Sequence, residues 1–184
     1  GAAAGAAGAA GASDASAAGA AGRARAASDS AGVFSCSPAV GDDAAGAEIA
    51  GLFDRAGIST EGLVRAAGRR TPMKTRIMAG GYESTRQQVV RLDREPDPIL
   101  TPDVEERLLE RLAGLAREAD GFVLSDYGYG VLSPRVFEVV RELARPRGAP
   151  VSVDSRYDLL RFRGATAATP NEPEVEALTG AELS

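Results

Sequence analysis

The sequence predicts an α/β fold: a mostly parallel sheet flanked by helices. Three observations carry that expectation. Three short apolar runs, GFVLSDYG, APVSVDSR and GATAATPNEPE, each lead into a polar residue of ligand-binding type, Asp126, Asp154 and Asn171. Segments with the 3.6-residue apolar period of helices separate these runs, and strand–helix–strand units of this size imply parallel pairing with a right-handed crossover. One stretch, residues 63–94, departs from this rhythm and shows the two-residue alternation of a hairpin.

The elements follow in order. Residues 1–32 contain only Ala, Gly, Ser, Asp and Arg. With no larger apolar side chain they cannot build a core, so disorder or weak helix is expected there. Residues 33–41, VFSCSPAVG, suit a short strand and turn. A helix follows from Asp43 to Ala56, with Ile49, Leu52, Phe53 and Ala56 spaced as one buried face. Asp42 or Asp43 can cap its start and Gly57 its end.

In the hairpin region, Met73, Thr75, Ile77 and Ala79 alternate with Lys74, Arg76 and Met78. The alternation returns from Arg86 to Asp93, and Gly80-Gly81 between the two halves is a turn signal. Lys74, Arg76, Arg86 and Arg91 gather cations on this unit. They serve either as a charged edge that discourages aggregation or as a flap that meets an anionic substrate.

Beyond Pro102, residues Val104, Leu108, Leu112 and Leu115 mark one face of a helix reaching about Ala119. A strand at Phe122–Ser125 follows. Ser133-Pro134 then opens a helix, with Ser as cap and Pro in the first turn, and Val136, Phe137, Val140 and Leu143 form its apolar stripe. A strand at Val151–Val153, a short irregular piece at Tyr157–Phe162, a strand at Ala165–Thr169 and a helix opening at Glu172 complete the pass. That helix breaks off near Ser184, so the chain reads as a fragment.

Composition narrows the function. The chain has 184 residues, 21 basic and 26 acidic, for a net charge of −5. That balance disfavours general nucleic-acid binding, which needs a basic footprint. No apolar run approaches a transmembrane span. Cys36 is the only cysteine, which excludes an internal disulfide and fits a reducing cytoplasm. Histidine is absent, so His-based triads are excluded. No GxGxxG turn and no Walker lysine motif is present.

In an open parallel sheet, ligands bind outside the carboxyl ends of the strands. Asp126, Asp154 and Asn171 at three such ends therefore point to one site, although each alone also suits a turn or a helix cap. Asn171 and Glu174 form an NxxE pair at a helix start. The pair can place an amide and a carboxylate near a phosphate and magnesium, or it can simply be a capping box. Asp154 and Arg156 lie close enough for a local ion pair.

The stretches TPMKTRIMAGGYESTRQQVVRLDRE, VLSDYGYGVLSP and VSVDSRYDLLRFRGATAATPNEPEVEALTG resemble the ribokinase-like (PfkB) carbohydrate kinases. The branch that phosphorylates D-glycero-β-D-manno-heptose 7-phosphate, a lipopolysaccharide precursor, is the most similar. The resemblance runs from about Val40 to Gly180 and includes VGDDAAGAEIAGLFDRAGIST. It implies a ribokinase-like fold with a small β-sheet lid at about 63–94, within a partial kinase domain at 40–184 that follows a leader at 1–39. It implies ATP and Mg²⁺ as cofactors, with Asn171, Glu174, Asp154 and Arg156 at the ATP/Mg site and Glu174 reaching magnesium through water. It implies a sugar phosphate as substrate, met by Lys74, Arg76, Arg86, Asp126 and Tyr127, and a homodimer formed through the lid. The family's usual lysine in SDYxKG is Tyr129 here, and the family's GAGD catalytic segment does not occur in the sequence. The expected activity is phosphoryl transfer from ATP to a sugar, with this piece alone inactive. A kinase for another sugar, or a non-catalytic remnant, is the alternative.

Overall fold

A computed structural model describes residues 13–14, 21–23, 38–80, 86–96, 99–156 and 158–180. Its elements run β1 (Ser13–Asp14), β2 (Ala21–Arg23), β3 (Ala39–Gly41), α1 (Ala44–Arg55), β4 (Val64–Ala66), β5 (Met73–Ala79), β6 (Gln87–Arg94), α2 (Pro102–Ala116), β7 (Phe122–Asp126), α3 (Pro134–Ala144), β8 (Val151–Ser155), β9 (Ala167–Ala168) and α4 (Glu172–Thr179). A short 3-10 turn, Leu159–Phe162, lies between β8 and β9.

The main sheet has the order β2-β7-β8-β9. β7, β8 and β9 are parallel, as the strand–helix–strand rhythm predicts, with Leu124 opposite Val153 and Val153 opposite Ala168. β2 joins β7 antiparallel, with Ala21 opposite Leu124. Disorder was the expectation for residues 1–32, and at 13–14 and 21–23 the structure differs. A strand pairs through its backbone, so a segment without large side chains can still complete a ladder. The rest of 1–32, with Cys36, lies outside the described residues.

β5 and β6 form the expected antiparallel hairpin, with β1 on the outer edge of β5. The register shifts between Ile77 and Met78. An irregularity there breaks the strict alternation read from the sequence. Residues 81–85 lie outside the described residues. Val64–Ala66 does not belong to this unit: it pairs in parallel with β3, Val40 opposite Arg65. The hairpin layer therefore starts at Met73 rather than at residue 63.

The helices hold the sheet from below. α2 buries Val104, Leu108, Leu109 and Leu112, and α3 buries Val136, Phe137 and Val140. These meet Phe122, Leu124, Val151 and Val153 in one core cluster that also takes in Ala39, Val64 and Ala66. Ser133 caps α3 as predicted, its Oγ accepting from Val136 N at 3.1 Å. α1 matches its predicted span less well in burial. Ile49 is buried, but Leu52 is 43% exposed and Ala56 is exposed. The two-stranded β3–β4 sheet beside it is too narrow to cover the whole stripe.

Two glycines are fixed by close approach. A Cβ on Gly41 would stand 2.3 Å from the Arg69 carbonyl oxygen, and one on Gly46 would stand 2.3 Å from that of Gly41. The end of β3, the first turn of α1 and the loop before β5 thus meet without room for a methyl group.

Candidate active site

The parallel strands aim their carboxyl ends at one cleft of about 240 Å³. Asp126 is the last residue of β7, and Asp154 is the penultimate residue of β8. Asn171 stands three residues past the end of β9 and is the N-cap of α4. The cleft is lined by Asp126, Tyr127, Asp154, Arg156, Thr169, Asn171 and Glu174. Six of these were named from the sequence. Thr169 was not, although a hydroxyl residue two places before Asn171 on a predicted strand was a usable signal.

The side chains differ in how far they are committed. The Asp126 carboxylate is buried, 4% exposed, and held on several sides. Gly128 N donates to its Oδ1 at 3.0 Å, and Ser155 Oγ and Arg161 Nη2 donate to its Oδ2 at 3.1 and 2.7 Å. A buried carboxylate must be paired in this way, because leaving it bare is costly. Arg161 escaped the sequence reading, since it sits 35 residues from Asp126 and nothing local marks it. Asp154 and Arg156, by contrast, are exposed in the cleft.

Asn171 and Glu174 make a full capping box. Glu174 N donates to Asn171 Oδ1 at 3.0 Å, and Asn171 N donates to Glu174 Oε2 at 2.9 Å. Asn171 Nδ2 also donates to Glu174 Oε1 at 3.0 Å. The capping alternative raised by the sequence is thus present. It does not exclude ligand binding, because both side chains also line the cleft and the first turn of a helix favours anions.

The hairpin cations Lys74, Arg76 and Arg86 do not line this cleft. Lys74 lies opposite Asp93 in the hairpin and Arg76 opposite Arg91, and Arg86 precedes β6. A different contact reaches the loop after β7: Arg69 Nη2 donates to the Tyr129 carbonyl at 2.6 Å. A larger cavity of about 480 Å³ includes Arg141, Arg145, Val151 and Thr166 in its lining. It sits by the opening residues of β8, the sheet end opposite to where α/β ligands bind.

The donor set is oxygen-rich, with one guanidinium. Asp154 and Glu174 supply carboxylates, Thr169 a hydroxyl, Asn171 an amide and Arg156 a cation. Among the described residues, no group of three or more Cys, Asp or Glu could hold a metal ion. A set this sparse suits Mg²⁺, which keeps several waters and binds through one or two carboxylates and phosphate oxygens. Arg156 suits a phosphate. No described helix is long and apolar enough to cross a membrane.

Comparison with known proteins gives consistent results. A family model described as pfkB family carbohydrate kinase matches residues 9–184, so it takes in most of the Ala/Gly-rich stretch as well. A bifunctional protein HldE of Wolinella succinogenes is 36% identical over 155 residues, covering 84% of this chain and 31% of that protein. Its counterpart in Pelobacter propionicus is 41% identical over 142 residues, covering 77% and 28%. The chain thus spans under a third of the length of these relatives. Among solved structures, Sa239 superposes with a TM-score of 0.51 at 18% identity, covering 79% of this chain and 46% of that one. A candidate ribokinase from Agrobacterium tumefaciens superposes with a TM-score of 0.50 at 23% identity, covering 79% and 44%. These likenesses carry the ribokinase-like α/β fold, and the match over residues 9–184 carries the family: this chain belongs to the pfkB family of carbohydrate kinases.

Proposed function

We propose that the chain is part of an ATP- and Mg²⁺-dependent kinase acting on a sugar phosphate, with heptose 7-phosphate as the acceptor. The observation that carries this reading is the convergence of Asp154, Arg156, Thr169, Asn171 and Glu174 on one cleft at the carboxyl ends of parallel strands. In this reading Arg156 and the start of α4 meet the ATP phosphates, and Glu174 holds magnesium through its water shell. Bound Mg·ATP supplies the phosphoryl group. A sugar hydroxyl oxygen would bond to the γ-phosphorus as the bond to the β–γ bridging oxygen breaks, with ADP leaving and the hydroxyl proton passing to solvent. Such transfer depends on positioning and electrostatics.

On this reading the lid cations Lys74, Arg76 and Arg86 meet the sugar phosphate only when the lid closes, and Tyr127 faces the sugar. A second copy docks on the lid, which exposes Ile77, Val89 and Leu92 at 49%, 61% and 57%. A cytoplasmic location follows from the substrates, ATP and a sugar phosphate. Tyr129 favours a second reading within the class, a kinase for a different sugar, because a phenol replaces a cation at that position.

Calorimetric titration with Mg·ATP and with metal-free ATP tests the nucleotide half. Binding that requires Mg²⁺, and that weakens at least tenfold in Glu174→Gln, is expected. Equal binding of both forms by the wild-type and variant chains would overturn the assignment. Titration with heptose 7-phosphate against ribose and fructose decides the sugar.

A further inference from the structure

We propose that Arg161 is a positioning residue, and that Asp126 is its target rather than a ligand for the sugar. The two form a clamp that fixes residues 126–132 at the mouth of the cleft. The functional half of this proposal rests on the kinase reading above.

The geometry is specific. One nitrogen of Arg161 donates to Asp126 Oδ2 and to the Leu132 carbonyl, both at 2.7 Å. It therefore ties together the two ends of the loop that follows β7. The same guanidinium lies 4.7 Å from the centroid of the Phe162 ring. Phe162 is buried and stands edge-on to Phe137, their centroids 5.1 Å apart, within the main core. Arg161 is thus braced from behind by the core and bonded in front to the loop.

The loop needs that brace. Gly128 and Gly130 hold φ of +75° and +78°, a region other residues rarely enter. Glycine permits such a path without enforcing it. What enforces it is the Asp126 carboxylate, which accepts from Gly128 N two residues on. Ser155 Oγ and the Asp126 carbonyl, which accepts from Arg156 N at 3.1 Å, add two ties to the end of β8. Tyr127 and Arg156 both line the cleft. The clamp sets the residue after Asp126 and the residue after Ser155 relative to each other. With its carboxylate 4% exposed and bonded to three protein donors, Asp126 is turned inward.

The test uses the full chain with Arg161→Gln, Arg161→Lys, Asp126→Asn and the double variant Asp126→Asn/Arg161→Gln. Hydrogen exchange is followed by NMR, and Mg·ATP affinity by calorimetry. Exchange at Gly128 is expected to quicken at least tenfold in Arg161→Gln while Leu124 and Val153 stay protected. Arg161→Lys, which keeps the charge and guards against loss of the fold, recovers part of that protection. The double variant adds little to either single change, because the two residues act as one unit. Mg·ATP affinity falls three- to tenfold in Arg161→Gln. Unchanged exchange at Gly128 overturns the clamp, as does equal loosening at Leu124 and Val153, which would mark Arg161 as general scaffolding. A loosened Gly128 with unchanged Mg·ATP affinity overturns the service to the cleft. If the wild-type chain does not bind Mg·ATP, the kinase reading fails, and the exchange data alone decide the clamp.

Discussion

The hydroxyl of Thr71 donates to the Asp43 carboxylate at 2.6 Å, joining two segments 28 residues apart in the chain. Thr71 N also donates to Asp43, at 3.0 Å, and Gly46 N donates at 2.9 Å as the capping bond of α1. Thr71 is fully buried and passes the link on, its Oγ accepting from Gly41 N at 2.9 Å. One carboxylate therefore caps a helix and holds the approach to the β5–β6 hairpin.

That arrangement predicts an acid-labile contact. Burial by itself raises the Asp43 pKa. The bonds from Thr71 and Gly46, with the charge of Arg94, outweigh burial and hold it below its ordinary value of 3.8. A group whose folded pKa is depressed stabilises the fold fully above its unfolded pKa. As pH falls below 3.8 the unfolded chain takes up its proton first, and the contribution is lost by the time the folded pKa is passed. Asp43→Asn should lower stability at pH 7 and flatten the loss of stability below pH 4, roughly where the ordinary carboxylate titrates. Urea unfolding across pH 3–7, taken as an approximate range around that value, measures both effects. Parallel curves for the two proteins would contradict the prediction.

Leu124→Ala should be among the most destabilising single changes. Leu124 is fully buried in β7, and loss of a buried leucine side chain costs about 2–5 kcal/mol through lost burial and the cavity left behind. Denaturant midpoints check this. A cost below roughly 1 kcal/mol, outside that range, would mean the core is looser than it looks.

Asn171→Ala should cost about 1 kcal/mol, the usual value of an N-cap side chain. Glu174→Gln should change the melting temperature little, because glutamine can still accept from Asn171 N. The pair thus separates cap from site: stability responds to residue 171, magnesium dependence to residue 174. If Glu174→Gln destabilises as much as Asn171→Ala and leaves Mg·ATP binding intact, the pair is only a cap.

Removing residues 1–23 should lower the melting temperature. β2 covers the free edge of β7 along Ala21, Gly22 and Arg23, and each ladder bond lost is worth roughly 0.5–1.5 kcal/mol. Differential scanning calorimetry of the shortened and full chains decides it. Identical unfolding of the two would show that this edge strand contributes nothing.

The sequence by itself determined the elements that carry strong local signals. Ser133-Pro134, the 3.6-residue stripes of α2 and α3, the alternation from Met73 to Asp93, and the polar residues after three apolar runs were all legible. The reason is that capping, periodicity and strand-end chemistry act over fewer than about ten residues. The convergence of Asp126, Asp154 and Asn171 followed from a general property of parallel sheets, which gather successive carboxyl ends on one side, while Glu174 joined them through the NxxE spacing and Arg156 through the family resemblance. Tertiary structure alone decided the rest. The Ala/Gly-rich start has no side-chain signal for β2, because the open edge of β7 selects it through backbone bonds. Val64–Ala66 reads like part of the hairpin until β3 claims it. Arg161 is one arginine among many in the sequence. It becomes particular only where Asp126, buried at the end of β7, must find a positive partner.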